Sequence, residues 1–184
     1  MHMSTILQTR LDEFQQMHPG RELEILETGT IRQDTEAHRQ GDGWSTLTFA
    51  QWVAEHGGHV TSIDLHIATA GHVIDREGMD RHVTLIRGYS VDMMAAMLAD
   101  GERFDVILLD SENDAALILH EFMIAKQLLR RPGLILVDDV VPGSATVVKG
   151  AQLAPWLESH GIEYDITART GGGVHSGVLA TILP

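Results

Sequence analysis

Apolar residues along this chain gather in two kinds of run. Short β-branched runs alternate with longer segments whose apolar positions recur every three or four residues. That alternation predicts an α/β fold, a mostly parallel sheet with helices on both faces. An amphipathic helix is expected over about 4–17, stopped by His18-Pro19-Gly20. Strands are expected at 23–27, 59–64, 83–88, 104–110 and 133–140, and helices at 46–55, 68–78, 91–99 and about 144–160. The fourth strand, FDVILLD, is apolar almost throughout and reads as central, buried on both faces. The helix after it sets Ile118, Phe122, Ala125 and Leu129 on one side and is expected to stop at Arg131-Pro132-Gly133. A sixth strand over 164–170 precedes GGGVHS, which is too short for a crossover helix. Residues 177–183 must therefore return antiparallel, which gives seven strands and a C-terminal antiparallel β-hairpin.

One stretch departs from this rhythm. Glu27-Thr28-Gly29-Thr30 looks like a tight strand-to-helix turn, and Gly43-Trp44-Ser45-Thr46 looks like a helix start. The polar residues 31–42 separate them without any period, so a loop or a short helical turn is expected there.

Composition narrows the picture. The 184 residues suffice for one well-buried core, so a single domain over 1–184 is expected, with 1–3 read as a cloning remnant and 31–42 as an inserted loop. No apolar run reaches the length of a membrane span, and no secretion signal opens the chain, which makes the cytoplasm the expected compartment. The absence of cysteine excludes disulfides, thiolate metal sites and a cysteine nucleophile. A formal net charge of −13 argues against nucleic acid or an anionic membrane as partner. Lysine occurs only twice, as Lys126 and Lys149.

In an open α/β sheet, ligands bind at the carboxyl ends of the strands. Those ends carry Glu27 through Thr30, Asp64, Gly88-Tyr89-Ser90, Asp110 and Asp138-Asp139. Asp64 stands where a carboxylate commonly accepts from both ribose hydroxyls of a nucleoside; the alternative is a helix cap or a solvated turn acid. Asp110, Asp138 and Asp139 should converge, because the fourth and fifth strands should be neighbours. Three carboxylates that close repel, and a hard divalent cation such as magnesium would relieve them. The alternative is that Asp138 or Asp139 caps the next helix, since adjacent strand residues point to opposite faces unless the strand has ended.

These residues resemble the class I S-adenosylmethionine-dependent methyltransferases, nearest the metal-dependent catechol and caffeoyl-CoA type O-methyltransferases. The likeness runs from Leu23 to Leu183 and includes the closing hairpin of their Rossmann-like sheet. Glu27-Thr28-Gly29-Thr30 and Gly43-Trp44-Ser45-Thr46 match the two halves of the family's cofactor turn, here with about ten residues inserted between them. The resemblance implies that Glu27, Gly29, Thr30, Ser45, Asp64, Ser90 and Asp110 bind S-adenosyl-L-methionine. Within that set Gly29 lets the backbone approach the methionine part, Ser45 meets its carboxylate, Asp64 the ribose and Ser90 the adenine edge. Asp110, Asp138 and Asp139 fall on the family's metal triad, whose third member is usually asparagine, with Mg2+ the metal implied.

One position breaks the pattern. The family places a lysine three residues after the first metal aspartate, where it helps deprotonate the acceptor hydroxyl; here that residue is Asn113. A neutral amide can orient a substrate but takes no proton at neutral pH. His175, His120, His38 and Lys149 are the candidate replacement bases, His175 being best placed by its hairpin and Lys149 reading as a surface charge within the helix after the fifth strand. The expected function is methyl transfer to a small-molecule acceptor, an oxygen held by the metal, with Asp110, Asn113 and His175 around it. The alternatives are a metal-independent transferase, or a cofactor-binding domain without transfer activity that serves as a regulatory or assembly partner. A nicotinamide dehydrogenase is disfavoured because G-x-G-x-x-G is missing after the first strand. Little sequence remains to build a substrate cap, so the acceptor is small or a second subunit completes the pocket, as in a homodimer. The insert, pinned at both ends beside the cofactor's methionine end, is expected to act as a lid or else to point away as a surface excursion.

Overall fold

The computed structural model describes residues 1–41, 44–169 and 176–184. Helix α1 (Met3–Met17) leads into β1 (Leu23–Thr28), a short α2 (Glu36–Gly41), α3 (Ser45–His56), β2 (Gly58–Asp64), α4 (Ala68–Arg76) and β3 (Val83–Arg87). Then follow α5 (Ser90–Ala99), β4 (Phe104–Leu109), α6 (Ala115–Leu128), β5 (Leu129–Val140), α7 (Gly150–Ser159), β6 (Asp165–Ala168) and β7 (Gly177–Leu183). The strands form one seven-stranded sheet in the order β3-β2-β1-β4-β5-β7-β6. β1 through β5 pair in parallel, whereas β7 runs antiparallel to both β5 and β6. The expected fold class and its closing hairpin are borne out.

Two apolar layers hold the helices to the sheet. Met3, Ile6, Leu7, Leu11 and Phe14 recur at spacings of three and four along α1 and pack with Phe49 and Val53 of α3 and Val73 of α4 on one face. Met94 of α5, Phe122 of α6 and Leu157 of α7 cover the other. Every residue of β4 is buried, as its apolar run predicts for a strand covered on both sides. Met3, set aside above with the terminal residues, is the first residue of α1 and belongs to the core.

Three boundaries differ from the sequence expectation. β5 begins at Leu129, so Leu129 opens the strand instead of closing the helical stripe, and Arg131-Pro132-Gly133 lies inside the strand. The helix after β5 starts at Gly150 and not near 144. Local side chains satisfy the backbone there: Ser144 Oγ accepts from the amides of Thr146 and Val147 at 3.2 and 3.0 Å, and Asn113 Oδ1 accepts from Val148 N at 2.8 Å. With those donors already bonded, helix is not needed to satisfy them. Strand β6 spans four residues, and 170 lies outside the described residues. Among the described residues no helix is long and apolar enough to cross a membrane.

The strand order reverses direction between β1 and β4, which opens a crevice at their carboxyl ends.

Candidate active site at the strand ends

The crevice floor is the β1 turn. Gly29 adopts φ +86°, and a Cβ there would lie 2.3 Å from the carbonyl oxygen of Asp110. Only glycine lets the two segments come this close. The contact is fixed by backbone hydrogen bonds, Gly29 N to Ile63 O and Asp110 N to Thr28 O, both 2.9 Å.

Below it, Glu27 is completely buried. Its carboxylate accepts from the hydroxyls of Ser45, Thr46 and Ser62, the last two at 2.6 Å. Burial pushes its pKa up to about 7 against the opposing pull of those hydroxyls. Glu27 therefore acts through the residues it holds: it ties the start of α3 to the ends of β1 and β2. The Ser45 hydroxyl is committed to that carboxylate. Thr30 Oγ1 meets Thr46 Oγ1 at 2.9 Å, so both halves of the interrupted turn are joined across the insert.

Asp64 closes β2. Its carboxylate accepts from Thr30 N at 3.1 Å and His66 N at 2.8 Å, and it lines a cavity of about 100 Å³ together with Gly29, Leu65, Ser90, Ser111 and Leu117. A smaller cavity of about 20 Å³ lies beyond Gly29, between Thr30, Ile31, Arg32, Ser45 and Asp110. Gly29 lines the larger of these two neighbouring cavities and Asp110 the smaller, with their close contact between them. A broader hollow of about 800 Å³ lies at α1 and α3 around Asp12, Trp52 and Glu55, away from the strand ends.

The three aspartates converge, with one carboxylate oxygen from each of Asp110, Asp138 and Asp139 lying within 4.8 Å of the others. Two adjacent strand residues can reach the same side because β5 bulges here. Its pairing with β7 passes from Val137 opposite Leu179 to Val140 opposite Gly177, so Asp138 and Asp139 together face a single partner residue. Asp139 has φ 54°, a left-handed conformation that aspartate tolerates better than most side chains.

Cations already stand among these acids. Lys149 Nζ bonds Asp110 Oδ1 and lies 3.7 Å from Asp139 Oδ2. Arg169 Nη1 donates to Asp138 Oδ2 at 2.5 Å and lies 3.5 Å from Asp139 Oδ1. Burial works against the charge of Lys149, but Asp110, Asp138 and Asp139 outweigh it and raise its pKa above the ordinary lysine value. Burial and the neighbouring Asp110 push Asp138 up to about 7 against the pull of Arg169. The surface charge expected at Lys149 is corrected: the side chain is 5% exposed and precedes α7 instead of riding on it. A carboxylate triad suits a hard dication, but a metal bound between Asp110 and Asp139 would meet the ammonium head-on. As folded, these residues do not fit a resident metal.

Asn113 does not point at this cluster's charges. Its amide donates to Thr146 O and accepts from Val148 N, both at 2.8 Å, clasping the segment just before Lys149. His120 is exposed on α6. His38 Nδ1 is 2.7 Å from Thr35 Oγ1 at the start of α2. His175, and Gly43 of the second half-turn, lie outside the described residues. The insert divides its roles. Residues 31–33 line the smaller cavity, while Asp34 pairs with Arg76 of α4 at 2.5 Å and Gln33 O accepts from the Trp44 indole at 3.1 Å.

Two residues escaped the sequence reading. Arg169 is one. Glu121 is the other: it is buried on α6, accepts from Thr28 Oγ1 at 3.2 Å, and has its pKa raised by burial against the pull of Ser90, Ser111 and Thr28. Glu121 lies three residues after Ile118 and one before Phe122, so a charge on the buried stripe was the available signal.

A family model described as a methyltransferase domain matches residues 40–140, more than half of the chain. An O-methyltransferase from Bacillus cereus in complex with SAH is similar in structure, with a TM-score of 0.68 at 20% identity, covering 95% of this chain and 81% of that one. A Staphylococcus aureus protein provisionally described as a caffeoyl-CoA O-methyltransferase gives 0.65 at 18%, covering 96% and 83%. The MycE methyltransferase of the mycinamycin biosynthetic pathway, in complex with Mg and SAH, gives 0.59 at 15%, covering 94% and 48%. At these identities the likeness is one of fold. No curated protein matches the sequence. Matched over more than half its length by that family model and folded as its members are, the chain belongs to the methyltransferase-domain family.

Proposed function

We propose that this protein transfers the methyl group of S-adenosylmethionine to an oxygen of a small-molecule acceptor. The observation that carries this reading is the divided groove: one compartment at Asp64 and Ser90, one at Thr30 and Ser45, and between them the Gly29–Asp110 contact beside a cluster of fixed charges. An elongated cofactor with a nucleoside at one end and an amino acid at the other matches that layout. Asp64 would accept from the ribose, and Ser90 and Leu117 would flank the base. The amino-acid carboxylate would meet the N-terminal amides of α3, whose first turn carries no acidic residue.

The reaction is a direct displacement. An acceptor oxygen forms a bond to the methyl carbon while the carbon–sulfur bond breaks, and its electron pair stays on sulfur to give S-adenosylhomocysteine. The acceptor's proton passes to solvent as it ionises. The protein contributes proximity and alignment, held by the rigid floor under Gly29. A metal enters none of these steps, since Lys149 stands where it would sit.

Isothermal titration with S-adenosylmethionine and S-adenosylhomocysteine tests the cofactor site, and S-adenosylhomocysteine release over a panel of catechols and phenols tests transfer. Saturable binding of both with turnover is expected. No binding at millimolar cofactor overturns the reading. Binding with no turnover on any hydroxyl acceptor would favour a cofactor-binding domain without O-methyl transfer.

A further inference from the structure

The acidic cluster at the ends of β4 and β5 carries its own cation. We propose that the Lys149 ammonium permanently occupies the place a divalent metal would take between Asp110 and Asp139, and that the acceptor oxygen is steered by this fixed charge, so that the protein works without a metal. The second half of this inference rests on the transferase reading above; the first half does not.

Four observations support it. Lys149 is the sole lysine near the crevice, since Lys126 lies on α6 over the Trp156 ring, 4.3 Å from its centroid. Its Nζ bonds Asp110 and lies 3.7 Å from Asp139 Oδ2, two of the three carboxylates that a metal would need. It is delivered there by construction. Gly150 follows it, and a Cβ at Gly150 would lie 2.5 Å from Val140 Cγ1, so the lack of a side chain lets the chain press against the end of β5. Finally, Asn113 holds the backbone at Thr146 and Val148 with both ends of its amide. Asn113 thus carries an amide that anchors the segment bringing the Lys149 amine into the cluster.

Charge balance favours this arrangement. Two cations, Lys149 and Arg169, face three carboxylates, and Arg169 bonds the buried Asp138. An ammonium is monovalent and tethered, so it needs no dehydration of a free ion and cannot be chelated away. It offers hydrogen-bond donors that an acceptor oxygen can use, and it stabilises the oxyanion that forms before attack. Asn113 is a positioning residue in this scheme and does not contact the acceptor.

The test is a Mn2+ titration followed by electron paramagnetic resonance, on the full chain with S-adenosylhomocysteine present. Wild type is expected to bind no stoichiometric Mn2+ up to millimolar concentrations. Lys149→Met is expected to gain one site, at least tenfold tighter than anything in wild type, and Lys149→Met combined with Asp139→Asn to lose it again. Asn113→Ala should gain a weaker version of the same site, which a merely structural role for Asn113 would not produce. Stoichiometric Mn2+ binding by wild type that disappears in Asp139→Asn overturns the proposal. So does a folded Lys149→Met that gains nothing. Should Lys149→Met fail to fold, the wild-type titration and the Asn113→Ala arm decide it, a gain in the latter supporting it and its absence overturning it. None of these readouts needs methyl transfer, so failure here and failure of the transferase reading are told apart.

Discussion

The side chain of Asn113 accepts a hydrogen bond from the amide of Val148 at 2.8 Å, one residue before the lysine that enters the acidic cluster. With the matching donation to Thr146 O, one carboxamide fixes the approach of a segment 35 residues away. Asn113→Ala removes both bonds, together worth about 1–3 kcal/mol. We expect amide hydrogen exchange to quicken over 144–149 and acceptor turnover to fall about 5- to 140-fold, one order of magnitude per ~1.4 kcal/mol. S-adenosylmethionine affinity should stay nearly unchanged, because Asn113 lines neither of the cavities proposed for the cofactor.

Glu27 gives stability a definite pH dependence. Its folded pKa lies near 7, above the ordinary glutamate value of 4.5, because burial disfavours the charged form. Between those values the folded state holds a proton that the unfolded state has released, so stability falls as pH rises from about 4.5 to 7 and levels off above. Asp138 contributes in the same direction. Melting temperatures measured from pH 5 to 8 should decline, and Glu27→Gln should make that decline shallower. Glu27→Ala leaves the hydroxyls of Ser45, Thr46 and Ser62 without their acceptor and should cost about 2–4 kcal/mol.

Gly29 offers a steric test. In Gly29→Ala the new methyl would collide with the Asp110 carbonyl, and φ +86° is itself unfavourable for alanine. We expect a stability loss of about 1–3 kcal/mol and at least a ~10-fold weaker S-adenosylmethionine affinity by calorimetry. Unchanged cofactor binding would remove the groove from the proposed function.

The insert lends itself to deletion. Residues 32–37, 39 and 40 are exposed, and the Asp34–Arg76 pair is a surface contact of small weight. Removing 33–40 should shift the melting temperature by only a few degrees, at about 2–4 °C per kcal/mol. Acceptor kcat/KM should change by about tenfold or more, because the segment borders the smaller cavity. A large melting shift with normal specific activity would reverse this assignment.

The sheet and its active edge were legible because they depend on local pattern. β4 announces itself through an unbroken apolar run, and the absence of a crossover length after β6 forces the antiparallel return of β7. Acids at the ends of β2, β4 and β5 follow once the strands are placed. What stayed hidden depends on relations between segments. Asp138 and Asp139 share a side because of where β7 pairs with β5, which no window of β5 alone reveals. Lys149 looks like a surface residue until Asn113 is seen to hold the loop and Gly150 to let it dock. Glu121 is readable at helical spacing from Ile118, but its contact with Thr28 joins α6 to β1 and leaves no mark in the spacing of α6 alone.

The bulge in β5 has a consequence for how such a site can change over generations. Because Asp138 and Asp139 share a side only by virtue of one surplus residue opposite β7, loss of a single codon just before the pair would restore strict alternation and send one carboxylate to the far face. Every remaining side chain would be intact, yet Lys149 and Arg169 would lose a common partner in Asp139. Substitutions can tune this cluster, but an insertion or deletion makes or abolishes it in one step. The charge cluster is inherited as a strand length as much as a choice of residues.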